Sequence, residues 1–277
     1  MAKSKPAAKR SEPRDTIVFL LKLFVVVVLF RSFVLAPFSI PSESMLPRLL
    51  IGDYLFVSKW NYGFSRWSMP FGLPPIDWRI GWSLPERGDT VVFRGPPGED
   101  HDVIKRVIGL PGDTIQMRAG QVILNGRPVP KRRVADFVVP LTPNFDERNC
   151  RPQFQATGAN GAAVCRYPRF RETLPSGRSY EVLDQGTIPM DDTGVYQVPA
   201  GRVFLMGDNR DNSADSRFPA PADKLPGQEP GMGYIPLDHI EGRALVGFWS
   251  TDGSASWLLP WTWVTAARWS RIGYGFP

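Results

Sequence analysis

The chain has 277 residues, of which 43% are hydrophobic and 22% charged. That content excludes a chain disordered throughout, and it leaves room for a membrane anchor plus one substantial domain, or for a domain with a large insertion. The formal charge is +6, but much of the excess gathers beside an apolar run, and with no zinc-finger spacing and no helix-turn-helix pattern it does not argue for nucleic acid.

Met1 to Asp15 carry Lys3, Lys5, Lys9, Arg10 and Arg14 against Glu12 and Asp15. Thr16 to Pro37 follow, mostly apolar and interrupted by Lys22 and Arg31. As a helix this run is about 33 Å long, close to the roughly 30 Å of a bilayer's hydrocarbon core. Lys22 and Arg31 can snorkel to opposite faces. A cleaved leader fits less well, because Val34-Leu35-Ala36-Pro37 would put a proline directly after the scissile bond. The basic tail then sits in the cytosol, and everything beyond Pro37 lies outside.

Beyond the anchor the 28 prolines and 26 glycines point to many turns and short strands. Phe38 to Pro41 is extended, since Ile40 precedes a proline. Alternation predicts strands at Asp53 to Lys59, Thr90 to Arg94 and Asp102 to Ile108, with Gly95 to Glu99 turning the last two into a hairpin. Gly63 to Pro85, rich in Trp, Pro and Gly, is a loop with aromatic anchors. Two more strands, Thr114 to Arg118 and Gln121 to Leu124, flank Ala119-Gly120, and Asn125-Gly126 is the strongest hairpin signal in the chain. From Lys131 to about Pro199 the strand pattern is weak and polar residues are frequent, which reads as an inserted, loop-rich β subdomain. Cys150 and Cys165 fall in it. Outside the cytosol a disulfide between them is permitted, and two ligands are too few for a metal site.

The expected fold is mainly β: an N-terminal transmembrane helix, then an antiparallel β-sheet core with an inserted loop-rich β subdomain. The boundaries are a basic tail over 1–15, an anchor over 16–37, core over 38–130, the insert over 131–200 and core again over 201–277. Near the C-terminus Trp257, Trp261, Trp263 and Trp269 stand with Arg268 and Arg271. Such residues suit a membrane interface or an aromatic cluster packed on the core.

Two segments carry candidate chemistry. Ser44, in Pro41-Ser42-Glu43-Ser44-Met45-Leu46-Pro47, follows the anchor closely and so lies near the outer membrane surface. On its own such a serine could equally cap a helix. Lys105 sits in the alternating strand, where Val103 and Val107 share its face and Ile104, Arg106 and Ile108 share the other. Periodicity does not decide which cation points inward. Arginine cannot lose its proton in a protein, so only Lys105 can act as a base, and desolvation among apolar neighbours would favour its neutral form. A neutral amine can take the proton of a serine hydroxyl. The rivals are weaker. His101 lies in an acidic cluster and His239 in a surface turn, which leaves no partner for a Ser-His-Asp arrangement. Asp192-Thr193-Gly194 occurs once, as a turn, and no phosphate-binding glycine loop joins a strand to a helix.

Four blocks together resemble the bacterial type I signal peptidases, or leader peptidases. They are Pro41 to Pro47 with Ile51-Gly52-Asp53; Arg87-Gly88-Asp89 through Phe93; Ile104 to Asp113; and Gly207-Asp208-Asn209-Arg210-Asp211-Asn212-Ser213-Ala214-Asp215-Ser216-Arg217. The resemblance covers the anchor and the core and hardly touches the insert. It implies a Ser44 nucleophile, a Lys105 general base, Ser213 orienting the lysine through a hydrogen bond, and Ser42 with the Ser44 N–H as oxyanion donors. Such donors typically lower a barrier by roughly 3 to 4 kcal/mol. Asp215 and Arg217 would support the site. Substrate would add as a strand, with Phe38, Ile40, Pro41, Met45, Val103 and Ile104 lining shallow pockets for small residues. The expected partners are preprotein signal peptides and the bilayer, with no nucleic acid, no cofactor and no metal, and the chain a monomer in the bacterial inner membrane. Glu43 and Arg48 depart from the family pattern, which bears on charge at the pocket rim. Two other readings remain: a Ser/Lys self-cleaving protease, and a non-catalytic membrane-tethered β module in which Ser44 and Lys105 are dispensable.

Overall fold

A computed structural model describes residues 13–69, 72, 76, 78–81, 83–96, 101–223, 225, 230–256 and 258–276. It opens with helix α1 (Pro13–Phe33), whose 21 residues are about 31 Å long, and apolar side chains from Ile17 to Phe30 lie open around it. With these apolar side chains mostly exposed, the helix suits a lipid surround; only its end packs on the core, through Ser32 and the Phe33–Phe64 ring contact. It ends before the predicted Pro37. Ala36 precedes that proline and is held extended, and Leu35 already pairs with Ser58.

The chain then enters strands β1 (Leu35–Ser39), β2 (Asp53–Ser58), β3 (Thr90–Arg94) and β4 (Asp102–Gly109). Next come β5 (Thr114–Arg118), β6 (Gln121–Leu124), β7 (Arg127–Pro128) and β8 (Lys131–Pro140). The polar region holds β9 (Gln155–Thr157), β10 (Ala163–Thr173), β11 (Ser179–Leu183) and β12 (Tyr196–Gln197). The last are β13 (Arg202–Met206), β14 (Ile235–Pro236), β15 (Ile240–Ser250) and a short helix α2 (Trp261–Thr265).

The described residues form three antiparallel sheets. The largest runs β1-β2-β15-β3-β4-β13-β14. Proline is tolerated in β1 because that strand is an edge. β4 pairs with β3 from Asp102 to Arg106, Val91 opposite Lys105, but β13 joins its other side only from Arg106 onward. Asp102 to Lys105 therefore keep one side without a strand partner among the described residues. A second sheet, β12-β5-β6-β7, is built from two-residue hairpins. Asn125 (φ 50) and Gly126 (φ 73) are both left-handed, as the Asn-Gly signal requires. The predicted turn at Gly95 to Glu99 lies largely outside the described residues.

The polar region holds more strand than its sequence suggests. β8 and β10 span 10 and 11 residues and anchor the third sheet, β11-β10-β8, with β9 on β10. Most of β8 is solvent-facing, so the alternation that marks a half-buried strand is faint in it. Pro168, which has no N–H to give, sits at the shift in register between Tyr167 and Arg169. A Cys150–Cys165 disulfide is present, with Cα atoms 5.8 Å apart. Both cysteines are fully buried in one cluster with Leu46, Val139, Tyr167 and Leu183. The bond thus lies against the segment that carries Ser44.

The loop closed by this bond spans 15 residues. In the chain-entropy account a loop of that length stabilises by about 3 kcal/mol. Replacing both cysteines with alanine should lower the unfolding free energy by that order, measured by denaturant titration of the full chain in detergent. Equal stability of parent and variant would contradict this.

Candidate active site

Ser44 and Lys105 meet. The chain leaves β1, extends through Ile40 and turns tightly, with Leu46 N–H donating to Glu43 O at 3.0 Å and Leu49 N–H to Met45 O at 3.0 Å. The turn is tied to the Gly207–Arg217 segment by Asn209, whose N–H donates to Ser44 O at 3.0 Å and whose side-chain amide donates to Glu43 O at 3.2 Å. Gly207 is required here, since a Cβ on it would lie 2.6 Å from Ser44 O and 2.3 Å from Ser213 Oγ. From β4, Lys105 Nζ donates to Ser44 Oγ at 2.7 Å. Lys105 is 4% exposed and Ser44 8%.

Burial pushes the Lys105 amine down, from an ordinary 10.5 to about 8. Asp215 and Asp208 oppose the fall and Arg217 adds to it. Both carboxylates are already engaged. Arg217 Nε donates to Asp215 at 2.9 Å, and Arg106 holds Asp208 through two bonds of 2.7 and 2.6 Å. Arg210 grips Glu172 in the same forked way, at 2.8 and 2.6 Å. The lysine therefore has no carboxylate of its own to hold its proton.

Asp215 and Arg217 are fully buried and act as scaffolding. Asp215 also accepts the Gly207 N–H at 3.0 Å, which fixes the glycine beside Ser44. Ser42 is exposed, its Oγ 3.4 Å from Ser44 Oγ. Ser213 is buried beside Gly207, but its hydroxyl makes no hydrogen bond, so the expected bond to Lys105 is not formed. Ile40, Met45 and Ile104 share one buried cluster, with Phe38 packed against it. Val103 packs on a different cluster, with Val91 and Val107, and Pro41 is exposed. Of the six predicted pocket residues, four are brought together by their side chains.

Sequence reasoning missed Arg106, Asp208, Arg210 and Glu172. Three of them lie inside the motif blocks, where closely spaced charges next to apolar strand residues are the signal of buried pairing. Glu172 lies in the polar region, and nothing local marks it. Glu43 and Arg48 are also engaged, Glu43 accepting from the Asn212 side-chain amide and Arg48 stacking on Tyr274 and Phe276. The described residues contain no cluster of side chains able to hold a metal.

A family model described as signal peptidase, peptidase S26, matches residues 14–249. Signal peptidase I of Rickettsia typhi is 32% identical over 265 residues, which cover 89% of this chain and 88% of that protein. Signal peptidase I of Rickettsia prowazekii is 31% identical over the same length, covering 89% and 88%. A solved signal peptidase I from Enterococcus faecalis shares 21% identity over 58% of this chain and 97% of its own, with a TM-score of 0.29, too low to bear on the fold.

The buried lysine links stability to pH. Below about 8 folded and unfolded chains both hold its proton, and the desolvation penalty is fully present. Between about 8 and 10.5 the unfolded chain binds the proton and the folded one does not, so stability rises with pH. The full rise is about 3 kcal/mol. Lys105→Met removes it. Subtracting the variant's unfolding free energy from the parent's should leave a difference that grows across that window; a difference independent of pH would mean the amine is not desolvated.

Proposed function

The chain belongs to the signal peptidase family, peptidase S26, and from that premise we propose that Ser44 and Lys105 carry out the cleavage. The protein is an enzyme, a serine peptidase that cleaves signal peptides, and its apolar N-terminal helix suits a membrane anchor. The observation that carries the assignment of roles is the 2.7 Å contact between Lys105 Nζ and Ser44 Oγ in a buried setting.

Neutral Lys105 accepts the Ser44 proton as Oγ bonds to the scissile carbonyl carbon. The carbonyl electron pair moves onto oxygen, where Ser42 Oγ and the Ser44 N–H are the donors in reach. Collapse of that intermediate breaks the C–N bond, and the proton on Lys105 passes to the leaving amine. An acyl-enzyme remains on Ser44. Lys105, neutral again, takes a proton from the water that attacks the ester carbon; the C–Oγ bond breaks to release the new C-terminus, and the proton returns from Lys105 to Ser44 Oγ. Ser213 lines this site and packs against Gly207; its buried, unpartnered hydroxyl is available to accept from the lysine ammonium when Ser44 is acylated and its oxygen no longer faces the amine.

The signal peptide lies along the open side of Asp102 to Lys105, opposite the Phe38 to Ser42 segment. Main-chain hydrogen bonds complete the ladder. Phe38, Ile40, Met45 and Ile104 make shallow pockets that accept alanine-sized residues, with Pro41 and Val103 contributing backbone and rim. The anchor fixes the chain in the bacterial inner membrane with its basic tail in the cytosol and its β core outside, where a disulfide is stable. Leu258 (89% exposed), Trp261 (66%) and Trp269 (58%) form an open apolar surface that suits the outer leaflet rather than core packing. Trp257 lies outside the described residues. The protein acts as a monomer.

Ser44→Ala should abolish cleavage of a preprotein carrying an Ala-x-Ala site, and Lys105→Met should reduce it by about 10²-fold or more. Activity of the parent should rise with pH and reach half its plateau near about 8, where the amine deprotonates. A gel-based cleavage assay across mildly acidic to alkaline buffers reads both. Substantial turnover in either variant, or a flat pH profile, would defeat the assignment.

A further inference from the structure

A cavity of about 560 Å³ opens between the chain just past Pro47, strands β10 and β11, and the C-terminal segment. Five arginines reach it: Arg48, Arg106, Arg169, Arg171 and Arg271. Three carboxylates answer them. Asp208 holds Arg106 at 2.6 Å, Asp53 holds Arg271 at 2.6 Å, and Glu181 is shared by Arg169 at 2.9 Å and Arg171 at 3.1 Å. Five guanidiniums against three carboxylates leave two positive charges on the wall. Arg48 forms no ion pair among the described residues, and its Nε is buried without an acceptor. Burial pushes its guanidinium down; Tyr274 and Asp208 oppose the fall, and Arg106 and Arg271 add to it.

The donors are also held in place. Arg48 and Arg271 lie 5.1 and 5.0 Å from the Tyr274 ring, and Arg106 lies 4.3 Å from the Tyr180 ring. Stacking restrains the planar guanidinium of Arg48, while the forks of Arg106 and Arg271 are directed at Asp208 and Asp53 and add positive charge to the wall. Arg48 is half-buried, and a partly desolvated cation without a counter-charge is unfavourable; the forked donors of arginine match the oxygens of a phosphate. The cavity rim includes Ser270 and Arg271, directly after the exposed Trp269. We propose that this cavity binds a phosphate group, carried by an anionic phospholipid headgroup at the bilayer surface or free in solution. Its position beside the lipid rests on the membrane-facing surface proposed above; binding of the anion itself does not.

The test uses the full chain in detergent, titrated with inorganic phosphate at constant ionic strength and followed by calorimetry and by the melting temperature. Saturable binding with a rise in Tm is expected. Arg48→Gln should weaken it at least tenfold. Arg171→Gln, at a side chain that is 46% exposed and so tolerant of substitution, should weaken it severalfold while leaving peptide cleavage intact. A second arm compares nanodiscs of phosphatidylcholine alone with discs containing phosphatidylglycerol. A phosphatidylglycerol-dependent rise in Tm that free phosphate competes away identifies the headgroup as the source; phosphate binding without that rise identifies a soluble anion. Absence of saturable binding in both arms overturns the proposal. So does parental affinity in the variants, and if Arg48→Gln fails to fold, Arg171→Gln decides alone.

Discussion

A cation buried without a dedicated anion is unstable in its charged form, and the site is arranged around that constraint. Lys105 enters a dry region between β3 and the Gly207–Arg217 segment. Every carboxylate near it is neutralised by a guanidinium that cannot give up its own proton. Had Asp208 or Asp215 been left single, it would have held the lysine as an ammonium. The arginines therefore act on the amine indirectly, by occupying the acids that would otherwise claim it.

The same pairs fix the geometry. Asp215 joins Arg217 to the Gly207 N–H, and Gly207 is the point at which the second motif approaches the Ser44 turn most closely. Asn209 then ties that turn from the other side. Buried pairs of this kind are weak contributors to net stability but severe to break singly, because the survivor is a lone buried charge. The polar region takes part as well: Glu172 on β10 closes the Arg210 pair, and the disulfide sits in the cluster that packs Leu46.

Much of this was legible in the chain. The strands at Thr90–Arg94, Thr114–Arg118 and Gln121–Leu124 have the bounds expected from the sequence: the last two bury alternate residues, the first is buried on both faces, and each is flanked by a glycine-bearing turn. Ser44 and Lys105 could be named because the four motif blocks resemble the signal peptidases; their settings alone left a helix cap and an exposed strand lysine open. Three things escaped. The end of α1 depended on pairing of Leu35 with Ser58, which is a long-range contact. The sheet built on β8 and β10 depended on partners far apart in sequence and exposes most of one strand. The charge pairs could not be assigned because Arg106 and Glu172 meet their partners only through the fold, and alternation alone left both faces of β4 open. The Ser213 hydroxyl, expected to bond the lysine, is buried without a hydrogen-bond partner.

The half-paired strand β4 has a consequence for breadth of recognition. Main-chain donors and acceptors are identical in every polypeptide, so a ladder completed through them is blind to sequence. In the proposed strand-addition mode, discrimination would fall to the volume of the shallow pockets, where one missing or added methylene is worth only about 1–3 kcal/mol. A catalyst built this way tolerates great diversity in what it processes, provided each client presents an unfolded stretch with little bulk at two alternate positions.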